Sequence, residues 1–240
     1  MDNIEDILKT ADKNFEKEKY VDALRDYLKV LDQIEDEERK AETAYKVSQI
    51  YHVLQSDSTE NSLKFANISM EIHKKLGEND LVSIDLINIG YIYSDAGNHE
   101  EGLKNFDAAI EAAKLAGDKE LEKMALLSKA DAVSEKDKAE SKKIYKEVLE
   151  ESEKDKDWEN YFESLHGLIS LKRDEDENEA FQMSKDALLK IDQIIAGMKN
   201  KKDRKAFKDS VSYIYDEASD IAMSLENVDE AIKIAKSLSD

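Results

Sequence analysis

The segment from Ile84 to Ile110 constrains the fold of this chain more than any other. Gly90 places a small residue where two helices must touch, Tyr93 follows as a large filler, and Gly97-Asn98 makes a turn. Gly102 is small again, and Phe106 and Ala109 follow it. Two antiparallel helices approach to roughly 8–10 Å only where side chains are small. Large residues fill the space between them, and each contributes about 1.5–3 kcal/mol when fully buried. Small, large and turn residues in this order specify a helix hairpin.

The pattern recurs along the chain. Second helices read Tyr20, Ala23, Tyr27, Val30 and Leu31, then Ser62, Ala66, Ser69 and Met70, then Gly102, Phe106, Ala109 and Ile110. Later copies are Ser141, Tyr145, Val148 and Leu149, then Ala180, Ser184, Ala187 and Leu188, and finally Val228, Ala231, Ala235 and Leu238. The first five anchors lie about 39 or 40 residues apart, a spacing typical of helical repeats. First helices supply the complementary small position at Ala11, Ser48, Gly90, Ala130 and Ser219. The fifth copy admits two registers. Phe162, Leu165 and Ile169 fit the apolar positions with His166 at the tight spot, whereas a one-residue slide puts Gly167 there and Glu163 in the core. Gly77 and Gly117 suit left-handed caps after their helices, and Ala196-Gly197 is expected to close the fifth copy in the same way.

On these residues the chain resembles a tetratricopeptide (TPR) protein over nearly its full length. Its longer unit, ending in a Leu-Gly-Asp-like cap, is similar to the repeats of kinesin light chains and of bacterial Rap-type regulators. The resemblance implies an all-α fold, an α-solenoid (right-handed superhelix) of about six antiparallel hairpins forming one domain over residues 1–240. The hairpins fall at about 3–38, 41–77, 81–117, 120–154, 158–197 and 199–240. The last opens with a long first helix, near Lys199 to Leu225, expected to cap the stack. The proline that often follows a TPR hairpin is missing, since the chain has none.

Composition narrows the function. Seven glycines, no proline and interleaved charge favour helix throughout. A net charge of −20 argues against nucleic acid and against anionic membranes as partners. No apolar stretch is long enough to span a bilayer. The acidic start Met1-Asp2-Asn3-Ile4 does not read as a signal peptide, and no cysteine is present, so a cytoplasmic location is expected. The four histidines share no metal-ligand spacing, and no phosphate loop, dinucleotide fingerprint or nucleophile motif occurs. Neither catalysis nor a cofactor is expected. Asp174, Asp176 and Asn178 mimic the opening of a calcium loop, but Glu179 and Lys185 stand where the loop needs glycine and a bidentate glutamate. The better reading is a solvated acidic turn.

The repeat register implies that the exposed face of each first helix lines a concave groove. That face holds Leu8, Asp12 and Phe15, then Tyr45, Gln49 and His52, then Ile87, Tyr91 and Ser94, and then Leu127, Asp131 and Ser134. Apolar and aromatic groups alternate with carboxylates, which suits a peptide or protein segment with basic and apolar side chains. Some TPR domains hold an acidic peptide end with a lysine and asparagine clamp, but Leu8 and Asp12 occupy those places here. A basic cluster at Lys199, Lys201, Lys202, Arg204, Lys205 and Lys208 is a candidate docking patch for an acidic partner. A non-catalytic interaction scaffold is therefore the leading reading. The rivals are a homo-oligomer joined through this cluster, and a sensor or regulatory domain acting with a separate effector.

Overall fold

A computed structural model describes residues 3–54 and 59–239. Met1, Asp2, residues 55–58 and Asp240 lie outside the described residues. Among the described residues there are thirteen α-helices, a short 3-10 turn and no strand. The chain forms two compact units, Met1–Ala132 and Val133–Asp240.

The first unit is built from α1 (Ile4–Phe15), α2 (Tyr20–Val30), α3 (Glu37–Leu54), α4 (Thr59–Leu76), α5 (Asn79–Asp95), α6 (His99–Ala116) and α7 (Lys119–Val133). Helices pair in the order of the hairpins, α1 with α2, α3 with α4 and α5 with α6. The small positions are where the helices meet. Ala11, Ala23 and Ser62 have no exposed surface. A Cβ on Gly90 would stand 2.5 Å from the Phe106 ring, and one on Gly102 would lie 3.0 Å from the Gly90 carbonyl oxygen. Two buried serines of this unit bond the facing helix. Ser62 donates to the Ser48 carbonyl at 2.9 Å, and Ser83 donates to the Ala109 carbonyl at 2.8 Å. Gly117 ends α6 with φ 73°, and Asp118 then caps α7 by accepting from the Leu121 N–H.

The second unit contains α8 (Lys138–Asp155), α9 (Trp158–Arg173), α10 (Glu177–Gly197), α11 (Lys201–Ser210), α12 (Ser212–Ser224) and α13 (Val228–Ser239). Both registers considered for the fifth copy are partly realised, because α9 is buried on two opposite sides. Gly167 lies against the Tyr145 ring of α8, where a Cβ would clash. Phe162 and Ile169, on the other side, are fully buried in the cluster formed with α10 and α12. Glu163 stays exposed between the two buried stripes.

Two expectations are corrected here. The long helix of the last copy is broken: α11 and α12 meet at Val211, whose φ −109° and ψ 18° leave the helical region. Gly197 remains helical, and α10 ends at Met198 in extended conformation instead of through a left-handed glycine. The left-handed cap after α8 falls on Lys156, with φ 60°. The acidic turn at Asp174–Asn178 is consumed locally. Asp176 accepts from the Glu179 N–H to cap α10, and Asp174 pairs with Lys138 at 2.8 Å.

Candidate functional site

The first helices of the first unit are tied to one another by polar side chains. Asp12 on α1 accepts from Tyr27 Oη at 2.7 Å, from Lys46 Nζ at 2.9 Å, and from the Arg39 guanidinium. Burial pulls the Asp12 carboxyl upward, but these three donors outweigh it and hold its pKa below the ordinary carboxylate range. Lys46 and Arg39 also bond Glu42, so two cations and two carboxylates form one network along α1 and α3. Between α3 and α5, Asn88 Nδ2 donates to Ser48 Oγ at 3.1 Å, and His52 Nε2 meets Asp95 Oδ2 at 2.9 Å.

Not every residue expected on the groove is available to a ligand. Leu8, Ile87 and Leu127 are only 1%, 9% and 7% exposed, which corrects their assignment to an open face. For α5 the reason is plain: α4 and α6 flank it, and Asp85 to Gly90 form an unbroken buried run. Leu8 belongs to the core cluster shared by α1, α2 and α3. Phe15, Tyr45, Gln49, His52 and Tyr91 are half-buried, and Asp131 is exposed. Phe15 packs edge-on to Tyr20 at 5.9 Å, and Tyr91 packs edge-on to Phe106 at 5.1 Å. Asp12 and His52 are engaged as described and act as links between helices.

Beside this face lies a cleft of about 580 Å³, bounded by the start of α3, the end of α4 and the start of α5. Tyr45, Leu81 and Ile84 give it an apolar wall. Carboxylates of Asp36, Glu38, Glu42, Glu78 and Asp85 complete the lining with Arg39 and His73. Burial pushes the Tyr45 hydroxyl up to about 12, with the Asp85 charge adding to it. Asp85 is 1% exposed, and its Oδ2 meets His73 Nδ1 at 2.6 Å. Burial raises its pKa to about 6, against the lowering effect of His73 and a smaller one of the neighbouring Ser69. Neither Asp85 nor His73 was singled out in the sequence. Their spacing of twelve residues across a helix junction carries no local signal.

The basic cluster sits on α11, which contributes no buried residue. Lys201, Lys202, Arg204 and Lys205 are all exposed. Arg204 Nε donates to the Met198 carbonyl at 2.7 Å.

No family model and no curated protein matches the chain. Solved structures do. RapI in its apo form is similar over 97% of this chain and 95% of its own, with TM-score 0.68 and 17% identity. A Rap protein complexed with competence and sporulation factor matches over 97% of this chain and 73% of its own, with TM-score 0.63 and 16% identity. BtubC from P. vanneervenii covers all of this chain and 93% of its own, with TM-score 0.61 and 15% identity. The fold is a TPR/Rap-type helical repeat. At such identities the likeness speaks for the fold of this TPR-type chain and leaves its ligand to be argued from the residues. No helix among the described residues is long and apolar enough to cross a membrane.

Proposed function

We propose that this TPR-type chain is a non-catalytic interaction scaffold that binds a peptide or protein segment along the first-helix face of its first unit. The observation that carries this reading is the half-buried set Tyr45, Gln49 and Tyr91 beside an acid-lined cleft. Half-buried aromatic groups of this kind are the usual anchors of a binding surface, and a few of them supply most of the affinity. The surrounding carboxylates select a segment with basic and apolar side chains. Solved structures of similar fold add support, since one of them holds a competence and sporulation factor. The test is affinity capture of partners by the wild type and by a Tyr45→Ala, Tyr91→Ala double variant with native helicity. Loss of one stoichiometric partner in the variant is expected. Retention of every partner by a folded variant rules the face out.

A second reading rests on α11. Four exposed cations, Lys201, Lys202, Arg204 and Lys205, stand on this helix in a chain of net charge −20. This face suits the acidic surface of a second copy. Glutamate at Lys201, Lys202 and Lys205 then dissociates the assembly, as read by light scattering. A wild type that is monomeric at high concentration and low salt ends this reading.

A further inference from the structure

We propose that the cleft at the start of α3 and α5 is a binding site for a cationic group, an ammonium or guanidinium, carried on an apolar stem. The inference rests on the scaffold reading and gives the chemistry recognised at one point of that face.

One oxygen in the cleft wall lacks a donor. Asp85 is 1% exposed and uses Oδ2 for His73, and the buried Ser69 hydroxyl beside it, which has no other partner, is a second donor from the chain itself. Oε2 of Glu78 is buried and unpartnered. Buried polar atoms are almost always hydrogen-bonded, and an orphaned acceptor on a charged group is costly. Such an acceptor in the cleft asks for a donor from outside. A small rotation of the half-buried Glu78 side chain presents Oε2 to an entering N–H group.

Charge selects a cation over a neutral donor. Five carboxylates line the cleft against two basic side chains, and both of those are already committed. The Arg39 guanidinium is held by Asp12 and Glu42, and His73 by Asp85. Glu42 and Asp85 are matched by these groups and by Lys46, so an entering ammonium or guanidinium meets the charge of Asp36, Glu38 and Glu78, and charge-assisted bonds of this type are the stronger ones. The apolar stem follows from the apolar part of the lining, where Tyr45, Leu81 and Ile84 give a surface for methylene groups. The volume of about 580 Å³ falls within the roughly 300–1,000 Å³ of ordinary small-ligand clefts.

Such a cation has two sources, a lysine or arginine side chain on a bound peptide, or a small free amine. The test uses the whole chain at low salt and follows the aromatic resonances of Tyr45 and His73 by NMR. Three probes are titrated: N-acetyl-arginine amide, n-hexylamine, and the neutral N-acetyl-norleucine amide. Saturable shifts with a cationic probe, absent with the neutral one, are expected. Tighter binding of the arginine amide assigns a peptide side chain, and tighter binding of hexylamine assigns a free amine. Glu78→Gln, which keeps size and leaves the His73–Asp85 pair intact, weakens the cationic probe about tenfold. Asp85→Asn is run beside it with its fold checked by circular dichroism. No saturable shift with either cation, or an equal response to the neutral probe, overturns the inference. So does a Glu78→Gln variant that binds as the wild type does. If the probes fail while partner capture still depends on Tyr91, this inference falls and the scaffold reading stands. If the probes bind but no partner is captured, the scaffold reading falls alone.

Discussion

Single positions in this chain carry opposite kinds of strain. Lys156 holds the left-handed cap after α8 at φ 60°, where other copies use Gly77 and Gly117 at φ 80° and 73°. A side chain in that region costs about 1–2 kcal/mol, so Lys156→Gly is expected to stabilise the protein by roughly 0.5–1 kcal/mol, the gain being partly offset by the entropy of glycine. Urea unfolding checks this, and a lowered midpoint contradicts it. Asp85 shows strain of a chemical kind. Its pKa in the folded protein is about 6 against an ordinary 3.8, so the folded state binds the proton more tightly than the unfolded one. Its contribution to stability is complete below about pH 4 and is lost as pH rises through about 6. The stability of wild type relative to Asp85→Asn should therefore fall by roughly 1–3 kcal/mol over that window. Equal pH profiles for the two proteins would refute the burial of this charge. A cation in the cleft favours ionised Asp85, so its affinity should weaken as pH falls through the same range.

Helix pairs show why small residues sit where they do. In α5 and α6 the Gly90 backbone faces Phe106 so closely that a single methyl group, 2.5 Å from the ring, has no room. Alanine in place of mid-helix glycine would by itself gain about 1 kcal/mol of propensity. Overpacking typically costs about 1–3 kcal/mol, so Gly90→Ala is expected to destabilise on balance, with Phe106→Leu relieving part of the loss. Thermal melts of the two single variants and the double variant measure that coupling. Helix contacts of this sort were legible from residue order, because small and large positions recur with helical period. The groove residues were only partly legible. Asp12 and His52 read as exposed ligand contacts, yet they are spent on Tyr27, Lys46 and Arg39 in one case and on Asp95 in the other. Those partners lie 15 to 43 residues away, and no local pattern announces them.

Across the whole molecule, the excess of acid is the dominant electrostatic term. Several ion pairs join exposed neighbours on one helix, such as Lys104 with Glu101 and Lys114 with Glu111, and pairs of that kind are worth little. Self-repulsion from a net charge of −20 is the larger effect. The thermal midpoint is expected to rise between about 0.01 M and about 0.5 M sodium chloride, as the screening length shortens. A midpoint that falls with salt would show that the ion pairs outweigh the repulsion. What could be read from residue order alone was the helical repeat, its small contact positions and the acidic, all-helical character of the chain. These are local properties, set by a helical period and by residue size. Tertiary structure alone decided that Leu8, Ile87 and Leu127 are covered, that α9 is buried on two sides, and that Asp85 meets His73 above an acid-lined cleft. A period shows which positions are apolar but not how many neighbours cover a helix, and a buried carboxylate finds its partner across the chain.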